Sequence, residues 1–210
     1  MLTTVHRVMT GILFVVTAAS GAGKTSLVRA LLKSDKQLGK SVSYTTRPAR
    51  PGEENGKHYN FVSESKFADM VKQGAFIEHA EVHGHRYGTS KSWIERAMSD
   101  GRDMLLEIDW QGAQQVRGLF PEAVGIFILP PSLASLEERL KERGQDEAEV
   151  ISNRLKAARA EMSHVNEFDY VIINDKFEQA VQDLLCIVRS CRLKLKPQLE
   201  KHRDLIHRLK

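Results

Sequence analysis

The chain has 210 residues, 41% of them hydrophobic, which is enough for one compact domain of enzyme size with a small inserted lobe. Its formal net charge of +4 comes from dispersed Lys and Arg residues, and we expect no nucleic-acid partner from so mild an excess. The two cysteines fit no disulfide framework, the apolar run at residues 12–16 is too short to span a bilayer, and no signal peptide is recognisable, so we expect a cytoplasmic protein with no membrane contact.

The first predicted elements are an apolar strand at residues 11–17 and a helix at residues 26–33, after an N-terminal extension of residues 1–10 in which the true start, Met1 or Met9, stays open. The segment between them reads AASGAGKT and is typical of a phosphate-binding loop that joins a strand to a helix. Its members, which we predict to bind ATP, are Ala18, Ala19, Ser20, Gly21, Ala22, Gly23, Lys24 and Thr25.

The chemistry of this loop depends on four of its residues. Gly21 and Gly23 lack a Cβ, so the backbone can turn its N–H groups inward around phosphate oxygens at the positive end of a helix dipole. Lys24 can reach the β- and γ-phosphates, and the Thr25 hydroxyl is placed to ligate the Mg²⁺ that accompanies ATP. Ala18 stands where the pattern usually has glycine, and the alternative interpretation is a plain glycine-containing turn before a helix.

A second phosphate site is predicted in the polar segment that follows, where an inserted lobe would begin. The segment is not helical and brings together two guanidinium groups, a hydroxyl and a phenol, on Ser43, Arg47, Arg50 and Tyr59. Arginine offers a planar fork of donors that matches phosphate oxygens, and the prolines of this segment fix the shape of the loop. The alternative is a solvated basic turn.

Two further helices are predicted at residues 65–73 and 90–99, with Gly74 and Gly101 placed as their stops. Between them the segment FIEHAEVHGHRYGTS mixes apolar residues with isolated polar groups and predicts short strands. Its histidines are better explained as loop residues than as metal ligands, because Mg²⁺ prefers oxygen donors.

Glu78 is the candidate for base recognition in this segment. Its carboxylate can accept two parallel hydrogen bonds from the N1–H and the 2-amino group of guanine, whereas adenine presents an acceptor at N1. Thr89 is placed to assist at the base and Tyr87 to bind the acceptor phosphate. Without a family pattern, an ordinary surface carboxylate is the better interpretation of Glu78.

The next strand, predicted at residues 103–108, carries acidic groups toward its carboxyl end. Parallel sheets collect their ligands at that end, and acidic residues are costly inside an apolar run. We therefore predict that Asp109 holds Mg²⁺, through water, and that Glu107 approaches the metal or the acceptor nucleotide. A strand end that caps a turn is the alternative.

The remaining pattern alternates strand and helix. Strands are predicted at residues 123–129 and 170–173, the latter buried, and helices at residues 133–143, 150–164 and 177–194. This alternation predicts an α/β fold with a parallel sheet covered by helices on both faces.

Three arginines in the helical stretch of residues 133–164 are candidates to close over ATP: Arg139, Arg143 and Arg154. Phosphoryl transfer gathers negative charge that Lys24 and Mg²⁺ do not cover completely. A salt-bridged solvent face explains these arginines equally well from the sequence alone. Asn174, after the last strand, is placed to touch the adenine end of ATP, with a simple turn as the alternative.

Taken together, the chain resembles bacterial-type guanylate kinases over roughly residues 11–190. The resemblance rests on motifs in the family's order: SGAGKT, SVSYTTRPARPGEENGKHY, FIEHAEVHGHRYGTS, LLEIDWQGAQQ, ILPPS, ERLKERGQD and VIIND. It implies a P-loop three-layer core with a parallel sheet, an inserted α+β lobe that binds GMP, and a helical lid. It also implies transfer of the γ-phosphate of ATP to GMP or dGMP, with Mg²⁺, in purine nucleotide metabolism and GMP recycling.

The resemblance also implies a division of the chain and of its site. The core covers residues 11–40, 102–129 and 165–190, the GMP lobe about 41–101, the lid about 130–164, and a basic helical tail 191–210. The contacts to the acceptor phosphate fall on Ser43, Arg47, Arg50, Tyr59 and Tyr87, and those to guanine on Glu78 and Thr89, while Glu107 is counted with the GMP-binding residues. A homo-oligomer stays open, since the last long helix could pack in a dimer or on its own core.

Two positions depart from the family pattern. Glu107 stands where many members have aspartate, so its side chain is longer by one methylene, and Lys176 follows Asn174 and Asp175 where a second acid is common. Two rival functions stay open at this point: a kinase for another small phosphate, and a catalytically silent module that binds a protein.

Overall fold

The computed structural model describes residues 10–82, 84–142 and 148–210. Its strands are β1 (Leu13–Ala18), β2 (Leu38–Lys40), β3 (Tyr44–Thr45), β4 (Asn60–Phe61), β5 (Phe76–Val82), β6 (His85–Ser90), β7 (Asp103–Glu107), β8 (Val124–Leu129) and β9 (Tyr170–Ile173). Its helices are α1 (Lys24–Ser34), α2 (Glu64–Lys72), α3 (Lys91–Ser99), α4 (Trp110–Leu119), α5 (Leu133–Glu142), α6 (Ala148–Met162), α7 (Phe177–Arg192), α8 (Leu195–Lys201) and α9 (Arg203–Arg208), with a 3₁₀ turn at Val165–Glu167. Each strand and helix predicted with bounds begins and ends within two residues of the predicted positions.

A five-stranded sheet has the order β2-β7-β1-β8-β9, and the pairs β2–β7, β1–β8 and β8–β9 are parallel. The central strands β1 and β8 are apolar along their length, and side chains such as Phe14, Val16 and Phe127 are completely buried. Continuous apolar strands are what a parallel sheet covered by helices requires. The predicted α/β class with a parallel sheet is confirmed.

A second sheet of four strands has the order β4-β3-β6-β5. Strands β5 and β6 form an antiparallel hairpin, β6 pairs antiparallel with β3, and β3 pairs parallel with β4. The polar segment from Ser43 to Tyr59 therefore contributes β3 and leads directly into β4, in the same sheet as the segment that contains Glu78.

The chain divides into two compact units. One consists of Phe14–Lys36 and Leu106–Val188; the other consists of the described residues before Phe14 together with Gln37–Leu105 and Arg189–Lys210. The division into core, lobe and lid stays a prediction.

Helix ends in the second of these units follow local sequence rules. The Ser63 hydroxyl accepts the N–H of Lys66 at 3.2 Å and so caps α2. Gly74 and Gly101, just past the ends of α2 and α3, have φ values of 64° and 76°, as the predicted stops require. No helix in the described part of the chain is both long and apolar enough to cross a bilayer.

The last strand corrects one expectation. β9 is not a buried strand: Val171 and Ile173 are 48% and 50% exposed, and only Ile172 of the three is buried. β9 is an edge strand of the sheet, and its alternate side chains point to opposite faces. In the described part of the chain, the face of β9 that carries Ile172 is buried, and the face that carries Val171 and Ile173 is half exposed.

Asp103 joins three elements of the unit that contains β2 and β7. Its carboxylate accepts the N–H of Ile12, just before β1, at 2.9 Å and Nε–H of Arg192, at the end of α7, at 2.6 Å. The side chains of Asp103 and Arg192 are only 13% and 21% exposed, so this ion pair is largely desolvated. A pair of this kind is costly to break from one side.

We therefore expect Asp103→Ala to lower the free energy of unfolding by about 2 kcal/mol, because a peptide N–H and a guanidinium lose their common acceptor. The measurement is urea denaturation followed by tryptophan fluorescence. Asp69→Ala is the matched control, since Asp69 and Lys72 are 3.9 Å apart and mostly exposed. It should change stability by less than about 0.5 kcal/mol. Equal losses in both variants would contradict this role of Asp103.

Candidate active site

The predicted phosphate loop lies between β1 and α1, where its sequence places it. Gly21 and Gly23 have φ values of 89° and 94°, in the left-handed region, and Gly23 is the N-cap of α1 without a side-chain cap bond. A Cβ on Gly23 would lie 2.4 Å from Nδ2 of Asn174. Both the backbone conformation and the close neighbour therefore require glycine at this position.

The functional groups of Lys24 and Thr25 meet the carboxyl end of β7. Lys24 Nζ donates to the carbonyl of Ile108 at 2.9 Å, and Thr25 Oγ1 donates to Glu107 Oε1 at 2.5 Å. Asp109 follows directly and caps α4 by accepting the N–H of Gly112 at 2.9 Å. The two acidic residues predicted near the metal thus lie at the strand end that contacts the loop, with Glu107 in direct contact with Thr25.

Asn174 is held against the loop. The side chain is 5% exposed, and Nδ2 donates to the carbonyl of Ala22 at 2.8 Å. Arg139 Nη2 donates to the backbone carbonyl of Asn174 at 2.9 Å. The structure thus joins Arg139 and Asn174 to the phosphate loop, whereas the predicted contact of Asn174 with adenine stays a prediction.

The roles predicted for the other two candidate arginines stay predictions. Arg154 lies half-buried on α6. Arg143 falls outside the described residues. Neither the closure of these arginines over ATP nor their solvent-face alternative is tested.

Glu161 is a contact residue that the sequence analysis missed. Its Oε2 accepts the N–H of Ser20, inside the loop, at 2.7 Å. The two residues are 141 positions apart, and no motif surrounds Glu161. No feature of the sequence could have singled it out.

A second set of predicted residues converges on the four-stranded sheet. Glu78 on β5 is directly opposite Thr89 on β6, and the two are 3% and 0% exposed. Ser43 Oγ lies 3.2 Å from Thr89 Oγ1. The alternative for Glu78, an ordinary surface carboxylate, is wrong, and a carboxylate buried in this way is a group suited to recognition.

Arg47 makes several contacts with neighbouring groups of the polar segment. It is 9% exposed, its Nη2 donates to both carboxylate oxygens of Glu53 at 2.8 and 2.9 Å, and its Nη1 donates to the carbonyl of Pro48 at 2.7 Å. Its guanidinium carbon lies 5.6 Å from the ring centre of Tyr59, whose ring centre is 5.9 Å from that of Tyr87. Three of the predicted phosphate ligands, Arg47, Tyr59 and Tyr87, therefore lie together. The alternative of a solvated basic turn does not describe Arg47.

Glu53 is the second residue that the sequence analysis did not assign. It also accepts the backbone N–H of Arg50 at 2.8 Å, while the side chain of Arg50 is exposed. Its hydrogen bonds with Arg47 and Arg50 lower the pKa of Glu53 below 4.5, and Glu53 in turn raises the pKa of Arg47. The carboxylate fixes both the guanidinium of Arg47 and the turn that follows.

The donor set near Thr25 fits Mg²⁺. Hydroxyl and carboxylate oxygens of Thr25, Glu107 and Asp109 come from adjacent elements, and Mg²⁺ takes one or two such oxygens together with water and phosphate. No cluster of three His, Cys, Asp or Glu side chains suited to a metal occurs in the described ranges.

Comparison with known proteins identifies relatives over nearly the whole chain. The family model for guanylate kinase matches residues 11–191. The chain is 58% identical to a guanylate kinase of Methylobacillus flagellatus over 201 residues, which is 96% of this chain and 100% of that protein. It is 53% identical to a guanylate kinase of Coxiella burnetii over 197 residues, which is 94% of this chain and 96% of that protein. The crystal structure of guanylate kinase from Anaplasma phagocytophilum superposes with a TM-score of 0.75 at 36% identity, covering 91% of this chain and 92% of that one.

Gly23→Ala should weaken MgADP binding about 10- to 100-fold, because alanine is strained at φ 94° and its Cβ would displace Asn174. Titration calorimetry measures this change. Gly118→Ala is the matched control, because Gly118 lies in α4 with no atom within 4 Å of an added Cβ. It should leave binding unchanged, and a Gly23→Ala protein that binds normally would show that the loop does not hold the phosphates.

The pKa of Glu53 gives a prediction about stability and pH. Because its pKa is lowered in the folded chain, the ion pair with Arg47 stabilises fully above 4.5, the ordinary value, and its contribution is lost as the pH falls through the folded pKa. Glu53→Gln should therefore destabilise the protein at neutral pH, and the difference from wild type should shrink in acid. Urea denaturation across this range is the measurement. Glu54→Gln, on the exposed neighbour that pairs with Lys57, should show no such trend.

Proposed function

The chain belongs to the guanylate kinase family, and we propose that it transfers the γ-phosphate of ATP to GMP or dGMP, giving ADP and GDP or dGDP. Within the site, the main support for this proposal is the buried carboxylate of Glu78, which lies opposite Thr89. The same chain also has a glycine-containing phosphate loop. The loop serves any nucleoside triphosphate, whereas a buried acceptor of paired hydrogen bonds is specific for guanine over adenine.

We assign the ATP side to the phosphate loop and its neighbours. The N–H groups from Gly21 to Thr25 cradle the phosphates, and Lys24 carries the charge that neutralises the β- and γ-phosphates. The Thr25 hydroxyl, and Asp109 through water, would hold Mg²⁺, which would supply further neutralisation of the triphosphate. The contact between Glu107 and Thr25 supports a role for Glu107 on this side, next to the metal.

We assign the GMP side to residues of the four-stranded sheet and the polar segment. Arg47, Tyr59 and Tyr87 lie together as ligands of the acceptor phosphate, and Arg50 and Ser43 complete the set. Glu78 accepts the N1–H and 2-amino group of guanine. The carboxylate is already desolvated, and a base such as adenine presents an acceptor at N1 that cannot donate to it, so such a base binds poorly.

The chemical step needs no dedicated base, because the attacking oxygen of the GMP phosphate is already anionic. This oxygen forms a bond to the γ-phosphorus, the bond from that phosphorus to the β–γ bridging oxygen breaks, and ADP leaves with the electron pair. Arg139 and Arg154, with Arg143, supply positive charge as negative charge gathers on the transferred group. A cytoplasmic location, the absence of nucleic-acid and membrane partners, and a homo-oligomer stay predictions.

The test is ADP formation from MgATP with GMP, dGMP, AMP, CMP or UMP, and without acceptor. We expect turnover with GMP and dGMP alone. Turnover with none of them, in a protein that binds MgATP, would contradict the proposal and favour either a different phosphate acceptor or a silent binding module.

The same assay tests Glu78. Glu78→Gln should lower kcat/KM for GMP about 10- to 100-fold and narrow the preference for GMP over AMP, because an amide presents one acceptor and adds a donor. Glu81→Gln is the matched control, since Glu81 is exposed on the same strand β5. If Glu78→Gln kept full selectivity, guanine would be recognised elsewhere.

A further inference from the structure

Glu161 holds one peptide group of the phosphate loop from a distant helix. It is the penultimate residue of α6, and its Oε2 lies 2.7 Å from the Ser20 nitrogen. A hydrogen bond to an ionised acceptor is roughly twice as strong as a neutral one. The orientation of the Ser20 peptide is therefore fixed by a residue that the phosphate-loop motif does not include.

The contact is one of several in which side chains from other elements hold consecutive residues of the phosphate loop. Next to Ser20, the side chains of Leu136 and Leu140 on α5 lie 2.9 and 3.0 Å from the position of a Cβ on Gly21. Next to Gly21, the carbonyl of Ala22 accepts Nδ2–H of Asn174. The two leucines hold the loop by packing, and Asn174 holds it by a neutral hydrogen bond. Of these four residues, Glu161 is the one that holds the loop with a charged group.

The end of α6 is also fixed on a second side. His164, three residues after Glu161, stacks on the ring of Trp110 with centres 3.6 Å apart and planes 9° apart. Its Nδ1 lies 2.6 Å from Glu167 Oε1, and Glu167 Oε2 accepts Nε2–H of Gln114 at 2.8 Å. Trp110 and Gln114 both lie on α4, so the end of α6 is attached to the loop by Glu161 and to α4 by His164.

Arg154 is on the same helix, seven residues before Glu161. Two turns of helix separate these positions, so both lie on one face of α6. We propose that Glu161 is a positioning residue for the phosphate loop and for α6. Its carboxylate fixes the orientation of the Ser20 N–H, and by anchoring α6 it also fixes the position of Arg154 on that helix. This inference rests on the proposed function for its kinetic readout.

The test compares Glu161→Ala and Glu161→Gln with wild type in steady-state kinetics. Glu161→Ala removes the acceptor and should raise KM for MgATP about ten-fold and lower kcat, with KM for GMP within about two-fold of wild type. Glu161→Gln keeps an oxygen that can accept the Ser20 N–H, so its KM for MgATP should rise only about three-fold. Glu138→Ala is the control, since Glu138 is an exposed glutamate on α5, and should behave as wild type.

A second readout does not depend on turnover. In a Trp93→Phe background Trp110 is the remaining tryptophan, and its fluorescence reports the stack on His164 at the end of α6. Glu161→Ala should shift the Trp110 emission. It should also weaken MgADP binding, which is measured from the change in Trp110 emission as MgADP is added. The same emission in Glu161→Gln should stay close to wild type.

The outcomes separate three accounts. A lower KM for MgATP in both Glu161 variants would show that the carboxylate repels phosphate, and equal changes in both KM values would show a general loss of structure; either result overturns positioning. Unchanged MgADP binding and emission in Glu161→Ala would overturn it as well. If wild type lacks GMP-dependent turnover, the proposed function fails, whereas the inference about Glu161 is still decided by MgADP binding.

Discussion

A loop that binds phosphate through peptide N–H groups works only if those groups are held in a fixed arc before the anion arrives. Gly21 and Gly23 supply the left-handed conformations, at the cost of a flexible backbone. The surrounding side chains remove that flexibility. Glu161, Leu136, Leu140 and Asn174 hold three consecutive residues, and the parallel sheet beneath the loop places the end of β7 against Lys24 and Thr25. The shape of the predicted phosphate loop therefore depends on the unit formed by Phe14–Lys36 and Leu106–Val188 and not on the motif alone.

The four-stranded sheet addresses a different physical problem, the burial of charge. Glu78 and Arg47 are both nearly inaccessible, and buried charges are unfavourable unless they have partners. For Arg47 these partners are the Glu53 carboxylate, the Pro48 carbonyl and the faces of Tyr59 and Phe61. Groups that are desolvated and fixed in this way discriminate between ligands, because a ligand with mismatched donors and acceptors cannot recover the cost of its own desolvation there. In the proposed function, selectivity for a guanine nucleotide depends on this sheet more directly than on the phosphate loop.

Single residues show most clearly which features of the structure could be predicted from the sequence and which could not. The order and type of the main elements, the phosphate loop, and the helix stops at Gly74 and Gly101 could be predicted, because periodicity and glycine conformations are local. The burial of Glu78 could not, since it depends on which residue β6 places opposite it. β9 was misjudged for a similar reason: its apolar sequence resembles that of a central strand, but it lies at the sheet edge with two side chains half exposed.

The sequence by itself determined the residue types that the chemistry needs and their order along the chain: a glycine loop with lysine and threonine, arginines and tyrosines in the polar segment, and carboxylates at the end of β7. Only the tertiary structure decided which of these groups meet and what holds them. Glu161 reaches Ser20 across 141 positions, and Glu107 contacts Thr25 across 82. Contacts over such separations depend on how strands and helices pack, and that packing is fixed by the burial of many side chains at once, which no short motif records.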